Sequence, residues 1–255
     1  FVCNASGITS VRLKNGETIE SKQFISNIHP QATFDKLNTP FIRNVFKERI
    51  SKLENTISNF TLYIKFKKDS VKYLNSNFYH YNTDNVWNCN KYAQQQFPIN
   101  FLFMHIPAST DSQYSDGAFL ISYMHFEEVK KWLGTKIGQR GKEYEEFKAE
   151  KANLLLNNLQ KSFPGILSDI EAFSSSTPLT YYDYTATKDG SMYGVLRDKN
   201  FPTQTLVSQR TRIPNLYMTG QNINSHGMLG VTIGAIITCA EFLGINNIIR
   251  DINKF

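Results

Sequence analysis

Apolar and polar positions alternate in the first thirty residues of this chain, and again in longer runs between residues 60 and 125. Residues 8–28, "ITSVRLKNGETIESKQFISNI", predict a β-hairpin: Val11 and Leu13 alternate with polar neighbours, and Asn15-Gly16 supplies the positive backbone angles of a tight turn. The returning run Phe24–Ile28 is more apolar, as expected of a strand that enters a buried sheet. Two helices are predicted next, Gln31 to about Leu37 and Phe41 to about Asn55. The second carries Phe41, Val45, Phe46 and Ile50 on one face.

Four runs then cluster β-branched and aromatic residues: Phe60–Phe66, Asn77–Tyr81, Phe101–Ile106 and Ala118–His125. They predict an antiparallel sheet of about four strands. The polar stretch Asn82–Gln96 reads as a long connection. Glu127–Phe163 reads as mainly helical, broken between Gly134 and Gly141 and ended by Pro164. Beyond the serines of Ser174–Thr177 the pattern turns irregular through residues 178–214. A short apolar strand, Leu216–Met218, a glycine-punctuated loop and a helix starting near Gly227–Val231 follow. The pattern contains neither an internal repeat nor a low-complexity segment.

Composition narrows the class. The 255 residues, 41% hydrophobic and 13% aromatic, describe a packed protein of one large or two modest domains. No run approaches the ~20 apolar residues of a membrane-spanning helix. Cys3, Cys89 and Cys239 stand far apart without metal-ligand spacing, which argues against a disulfide framework or zinc site and for a reducing, cytoplasmic compartment. His80, His105 and His125 lie on predicted strands, also without metal spacing. His29, before Pro30, reads as a residue at a domain junction. The formal charge of +6 concentrates in residues 41–72, where eight lysines and arginines meet three acids. That stretch reads as a solvated helix face plus a lysine-guarded sheet edge, or as a surface for an anionic bilayer. Nothing in it has the aromatic signature or helix-turn-helix spacing of a nucleic-acid binder.

The corner "LYMTGQNINSHGMLGVTIGA" (216–235) carries the chemistry. A helix that starts near Gly227 leaves backbone N–H groups pointing into the loop, and these attract anionic or electron-rich oxygens. Gly227 and Gly230 permit close approach of a planar ligand, and Gly230 with Gly234 would let the helix press on the sheet. There is no GxxxxGK[ST], and no GxGxxG after a strand with an acidic residue beyond. The chain is therefore not a P-loop protein and cannot hold an adenine dinucleotide by itself.

"TPLTYYDYTATKDGSMYGV" (177–195) and "RTRIPNLYMTGQNINSHGMLGVTIGAIITCAEFLG" (210–244) resemble the C-terminal half of the flavin-dependent phytoene desaturase, carotenoid isomerase and retinol saturase family. "GITSVRLKNGETIESKQFISNIHP" (7–30) and "KKWLGTKIGQRGKEYEEFKAEKANLLL" (130–156) are similar to further segments of that family in the same order. The resemblance implies a mixed α/β fold: the C-terminal part of a two-domain, Rossmann-type FAD/NAD(P)-binding oxidoreductase with an inserted antiparallel-sheet substrate domain. On that map residues 1–30 and 175–255 complete the FAD domain, and residues 31–174 form the substrate domain. The ADP-binding half lies outside this chain, so the isolated chain is expected to be inactive and to hold FAD weakly.

By the same resemblance Gly220 and Gln221 would lie beside the ribityl chain, with an amide where many relatives carry an acid. Backbone N–H groups of Gly227, Met228, Leu229, Gly230, Val231 and Thr232 would face the flavin. Gly190, Tyr193 and Gly194 would lie near the isoalloxazine face. His226 is a candidate proton donor or a structural loop residue, and Arg140, Glu143, Tyr144 and Lys148 read as surface support. No side chain is assigned as catalytic.

The implied reaction is hydride transfer between a polyene or isoprenoid carbon and flavin, with NAD(P) a candidate electron source. An apolar substrate leaves a membrane to enter, which makes the basic, aromatic region 41–81 a candidate for peripheral bilayer contact. Two rivals remain open: a flavin amine oxidase, whose usual aromatic pair "GQNINSHGMLG" lacks, and a non-catalytic lipid-binding relative of the same fold. The high Asn, Lys and Ile content is suggestive of an AT-rich bacterial genome.

Overall fold

In the computed structural model, which describes residues 1–223 and 225–254, the strands are β1 (Val2–Asn4), β2 (Gly7–Arg12), β3 (Thr18–Glu20), β4 (Phe24–Ser26), β5 (Ser58–Phe66), β6 (Asn77–Tyr81), β7 (Asn100–Pro107), β8 (Ser115–Met124), β9 (Ile170–Ser176) and β10 (Leu216–Met218). The helices are α1 (Pro30–Phe34), α2 (Asn44–Ser51), α3 (Lys142–Ser162), α4 (Pro178–Thr185), α5 (Pro202–Thr205), α6 (Gly227–Leu243) and α7 (Ile245–Ile252). Two compact units result. Unit 1 takes Phe1–Thr56, Tyr184–Lys188 and the chain from Tyr193 onward; unit 2 takes Ile57–Asp183 and Asp189–Met192. The divisions thus fall after Thr56 and Asp183 rather than after residues 30 and 174, because α1 and α2 pack with β4 and β10 in one core.

Unit 2 is built on one antiparallel sheet in the order β6-β7-β8-β5-β9. Alternation in the sequence drives it. Phe60, Leu62, Ile64 and Phe66 of β5 point to the core, as do Phe101 and Phe103 of β7, while Tyr63 and Lys65 point away. Helix α3 covers the core face with Tyr144, Ala152, Leu155, Leu156 and Leu159, which recur at helical spacing. Each large side chain so buried contributes about 1.5–3 kcal/mol.

The fifth strand, β9, is absent from the sequence expectation. Its Ser174–Ser176 run lacks the apolar alternation of a half-buried strand, yet its backbone pairs with Thr61–Tyr63 of β5. With β9 on one side and β8 on the other, β5 is not a sheet edge, so its lysines guard none. Lys65 pairs instead with Glu171 of β9 at 3.0 Å, and Lys67 Nζ donates to the Ser168 carbonyl at 2.7 Å.

Unit 2 also buries charge. Lys151 Nζ lies 3.1 Å from Glu128 Oε2 as an ion pair without hydrogen-bond alignment, and both side chains are about 95% covered. The ammonium sits over the Phe97 and Phe147 rings, at 4.7 and 5.4 Å from their centroids. Tyr92 donates to Glu128 Oε1 at 2.7 Å. Tyr144 is a second correction: it is buried rather than superficial, its hydroxyl hydrogen-bonded to Thr177 at 2.8 Å. Arg140 pairs with Asp183 beside it, its own side chain 5% exposed.

Unit 1 contains the hairpin sheet β1-β2-β3 and a two-stranded parallel pair, β4 and β10, with Leu216, Tyr217 and Met218 opposite Phe24, Ile25 and Ser26. The hairpin closes through Leu13 N–H to the Glu17 carbonyl at 2.8 Å, around a longer loop than the two-residue turn expected. In α2 the packing face is Phe46 and Ile50, one turn apart; Val45 falls off that face and is 75% exposed. Helix α6 buries only its small residues, Gly230, Gly234 and Thr238, while Met228 and Leu229 are 92% and 74% exposed. No helix among the described residues is long and apolar enough to cross a membrane.

Candidate functional site

Parallel strands β4 and β10 end side by side, and the two loops that leave their carboxyl ends shape one cavity in unit 1. This is where ligands bind in open α/β sheets. Asn27, Ile28, His29, Gly220, Gln221 and Asn222 line it, together with Thr185, Thr187 and Val231 of the adjoining segments. Its volume is about 280 Å³.

Three interactions fix the loops. Thr219 N–H donates to the Ser26 carbonyl at 2.9 Å, continuing the parallel ladder by one residue. Gly220 turns the chain with φ +90°, and a Cβ there would run into the Asn27 side-chain oxygen. The positive φ favours glycine there, and any side chain would also have to displace the Asn27 amide. Asn222, 5% exposed, accepts from Val195 N–H at 3.3 Å, and a Cβ on Gly194 would collide with its amide.

Two further residues hold this arrangement, Arg197 outside the recognised motifs and His29 within residues 7–30. Arg197 reaches the carbonyls of Asn222 and Ile223 with one guanidinium nitrogen and the Thr205 carbonyl with another; burial lowers its pKa. His29 is buried and caps α1: its Nδ1 accepts from Gln31 N–H at 3.2 Å, which places the proton on Nε2, 2.8 Å from Asn55 Oδ1. It therefore serves inside unit 1. Nothing periodic marks Arg197 or Asn222 in sequence. For Asn27 and His29 the available signal was position, directly after a strand.

The remaining predicted residues divide. Gly220, Gln221 and Val231 meet at the cavity, and Gly194 abuts it through Asn222. The Tyr193 and His226 rings lie tilted against each other, centroids 4.4 Å apart, with His226 at the N-cap of α6. Because α6 begins at Gly227, its intrahelical ladder is already running at Val231 and Thr232. The amides of Gly227, Met228 and Leu229 are those left for a ligand. Thr232 also turns its hydroxyl back onto the Met228 carbonyl at 2.8 Å.

Neither α6 glycine presses on the sheet. A Cβ on Gly234 would meet open space, and one on Gly230 would meet Ser225 of its own loop. The helix touches the strand through Thr238, whose hydroxyl lies 3.1 Å from the Met218 carbonyl, and through Phe242, whose ring centroid is 4.3 Å from that of Tyr217. Gly190 belongs to unit 2, where a Cβ would strike the Pro178 carbonyl.

Unit 2 offers a second surface. The sheet face away from α3 carries Tyr79, Leu102, Met104, Phe119, Ile121 and Tyr63, brought together by register: Tyr79 faces Leu102, Leu102 faces Ile121, and Tyr63 faces Phe119. Tyr79 is 63% exposed and Tyr63 41%. The other four side chains of this face are partly buried. Among the described residues no group of His, Cys, Asp or Glu is placed to hold a metal ion.

An oxidoreductase from Methanosarcina mazei superposes with a TM-score of 0.54 over 93% of this chain and 47% of its own, at 12% identity. In sequence this chain is similar to all-trans-retinol 13,14-reductases and to a prolycopene isomerase. Identity is 27% to the reductase of Rattus norvegicus, over 98% of this chain and 44% of that protein. It is likewise 27% to the reductase of Homo sapiens, over 73% and 33%, and to the chloroplastic prolycopene isomerase of Daucus carota, over 91% and 36%. The chain thus spans less than half the length of the curated relatives it matches. No family profile matches the sequence.

Proposed function

We propose that these residues form the flavin-end half of an FAD-dependent oxidoreductase acting on the double bonds of a polyene or isoprenoid. The observation that carries the reading is the cavity at the ends of β4 and β10, whose loops close because Gly220 and Gly194 leave room for the Asn27 and Asn222 side chains. A parallel pair of two three-residue strands is not a stable sheet alone. Together with the outward apolar side of α6, it is the margin of a larger sheet. On this reading a dinucleotide-binding half, Rossmann-type and supplied by further sequence, covers Met228, Leu229 and Ile233.

The residues present fit the cofactor at its ribityl and pyrimidine end. Gln221 offers a neutral amide to a hydroxyl, and the amides of Gly227, Met228 and Leu229 offer donors to a ring carbonyl that gains negative charge. Arg197 and Asn222 hold the loop rigid, so that these donors need not reorganise. When bound, the flavin supplies hydride transfer, and NAD(P) is a candidate source of the electrons. On this reading unit 2 is the substrate domain, and Tyr63, Tyr79 and Phe119 are the apolar surface it offers a polyene. Peripheral contact with a bilayer belongs to this reading, because the substrate is apolar.

The test joins these 255 residues to the dinucleotide-binding half of a relative and reads flavin absorbance retained through gel filtration, then flavin bleaching by polyenes under anaerobic conditions. Retention that Gly220→Val abolishes, with bleaching by a polyene, is the expected result. Equal retention by Gly220→Val would remove the corner from the site.

A further inference from the structure

Unit 1 carries a second cavity, of about 330 Å³, that the flavin reading leaves unused. It opens between α1–α2 and the segment 203–212. Phe34, Phe46, Leu206 and Val207 form its apolar floor, and Arg49, Arg210 and Arg212 stand around it. The chain has 28 lysines and arginines, of which only eight are arginine. Three of those eight meet at this cavity, where no lysine and no acidic side chain contributes to the lining. General surface charge would have drawn on the commoner lysine. Clustered guanidiniums, each a planar fork, match the oxygens of a phosphate.

Two of the three arginines have partners that place them. Arg49 donates through Nη1 to the carbonyls of Gln204 and Leu206 at 3.1 and 3.3 Å, and its guanidinium carbon lies 5.3 Å from the Phe46 ring centroid. Arg210 lies 3.7 Å from Glu241, which offsets one of the three charges. Hydroxyls of Thr203 and Ser208 complete the rim.

From this geometry we infer that the cavity binds a phosphate ester whose adjoining group is apolar, the guanidiniums holding the phosphate oxygens and the Phe34–Phe46 floor taking the remainder. The chemistry is shared by an anionic lipid headgroup and a soluble phosphoester. It differs from the expectation drawn from charge alone, which spread anionic contact over residues 41–72: of that stretch only Arg49 lies here, joined by Arg210 and Arg212.

Two assays on the 255-residue chain test it. Titration calorimetry uses inorganic phosphate and glycerol phosphate at fixed ionic strength. Flotation uses phosphatidylcholine vesicles with and without phosphatidic acid. Variants are Arg212→Gln, Arg210→Gln/Arg212→Gln, and Lys65→Gln/Lys67→Gln/Lys68→Gln/Lys72→Gln, each checked for an unchanged unfolding midpoint. Arg212 is exposed and makes no pair among those found in the structure, so its loss should leave the fold intact.

The expected result is binding that weakens about tenfold with each arginine removed and is unchanged in the lysine variant. Calorimetric binding identifies a soluble ester, and binding confined to phosphatidic acid vesicles identifies a headgroup. Absence of binding in both assays overturns the inference. So does binding that is insensitive to the arginine variants, or that is lost in the lysine variant.

Discussion

The two compact units are built to opposite standards of closure. In unit 2 a five-stranded sheet is sealed on one face by α3, and its largest side chains, Phe60, Phe101 and Phe103 among them, are fully covered. In unit 1 the parallel pair β4–β10 has only two strands, and α6 turns Met228, Leu229 and Leu243 outward. Both patterns are apolar in sequence. What differs is whether the chain supplies the partner surface, and function on the proposed reading sits where it does not.

Mutations should separate the two standards. Phe103→Ala in unit 2 is expected to cost about 3–5 kcal/mol in urea unfolding, as for any large side chain removed from a closed core. Lys151→Met should cost a comparable ~3–5 kcal/mol, because it strands the Glu128 carboxylate in the interior. Lys151→Met/Glu128→Leu should recover most of that loss. A double variant no better than the single would mean the pair is not the reason for the cost.

Effects at the corner are smaller. Gly220→Ala is expected to cost about 1–3 kcal/mol, from a positive φ and from contact with Asn27. At the low end, Leu229→Ser should stay within about 0.5 kcal/mol, since the side chain is 74% exposed. A loss near that of Phe103→Ala would show α6 to be packed after all and would erase the contrast.

Unit 2 also predicts a pH response. His105 is buried among Phe66, Tyr73, Phe78 and Phe103, its Nδ1 2.8 Å from Ser115 Oγ, and burial lowers its pKa. Below the ordinary histidine value of about 6.5 the unfolded chain takes up a proton that the folded one refuses. Stability is therefore full above that value, falls as pH drops below it, and levels off once the folded pKa is passed. His105→Gln should flatten the slope of the unfolding midpoint between about pH 5 and 7. An unchanged slope would assign it to other groups.

How much of this was legible depends on the range of the interactions. Alternation exposed β5 to β8, and the glycine-marked corner at 216–235 was readable because its strand, turn and helix start are local signals. Strand β9 was not, since serines at an edge carry no apolar rhythm and its identity comes from the backbone of β5. Arg197, Asn222 and Asn27 were missed for a related reason. Each works through backbone groups or a glycine distant in sequence, which nothing local reveals even inside the motifs that contain Asn27 and Asn222. Tyr144 and Arg140 looked superficial at i,i+4 spacing, but Thr177 and Asp183, far along the chain, bury and pair them.

The most direct test of the contrast is native-state amide hydrogen exchange on the chain by itself. Residues 58–66 and 118–124 of unit 2 should exchange only at the free energy of global unfolding. Residues 216–218 and 231–243 should exchange through a cheaper, local opening, and gain protection when a dinucleotide-binding half is joined. Equal protection of both regions in the isolated chain would contradict the account, because a corner already complete has no place for the other half of a flavin site.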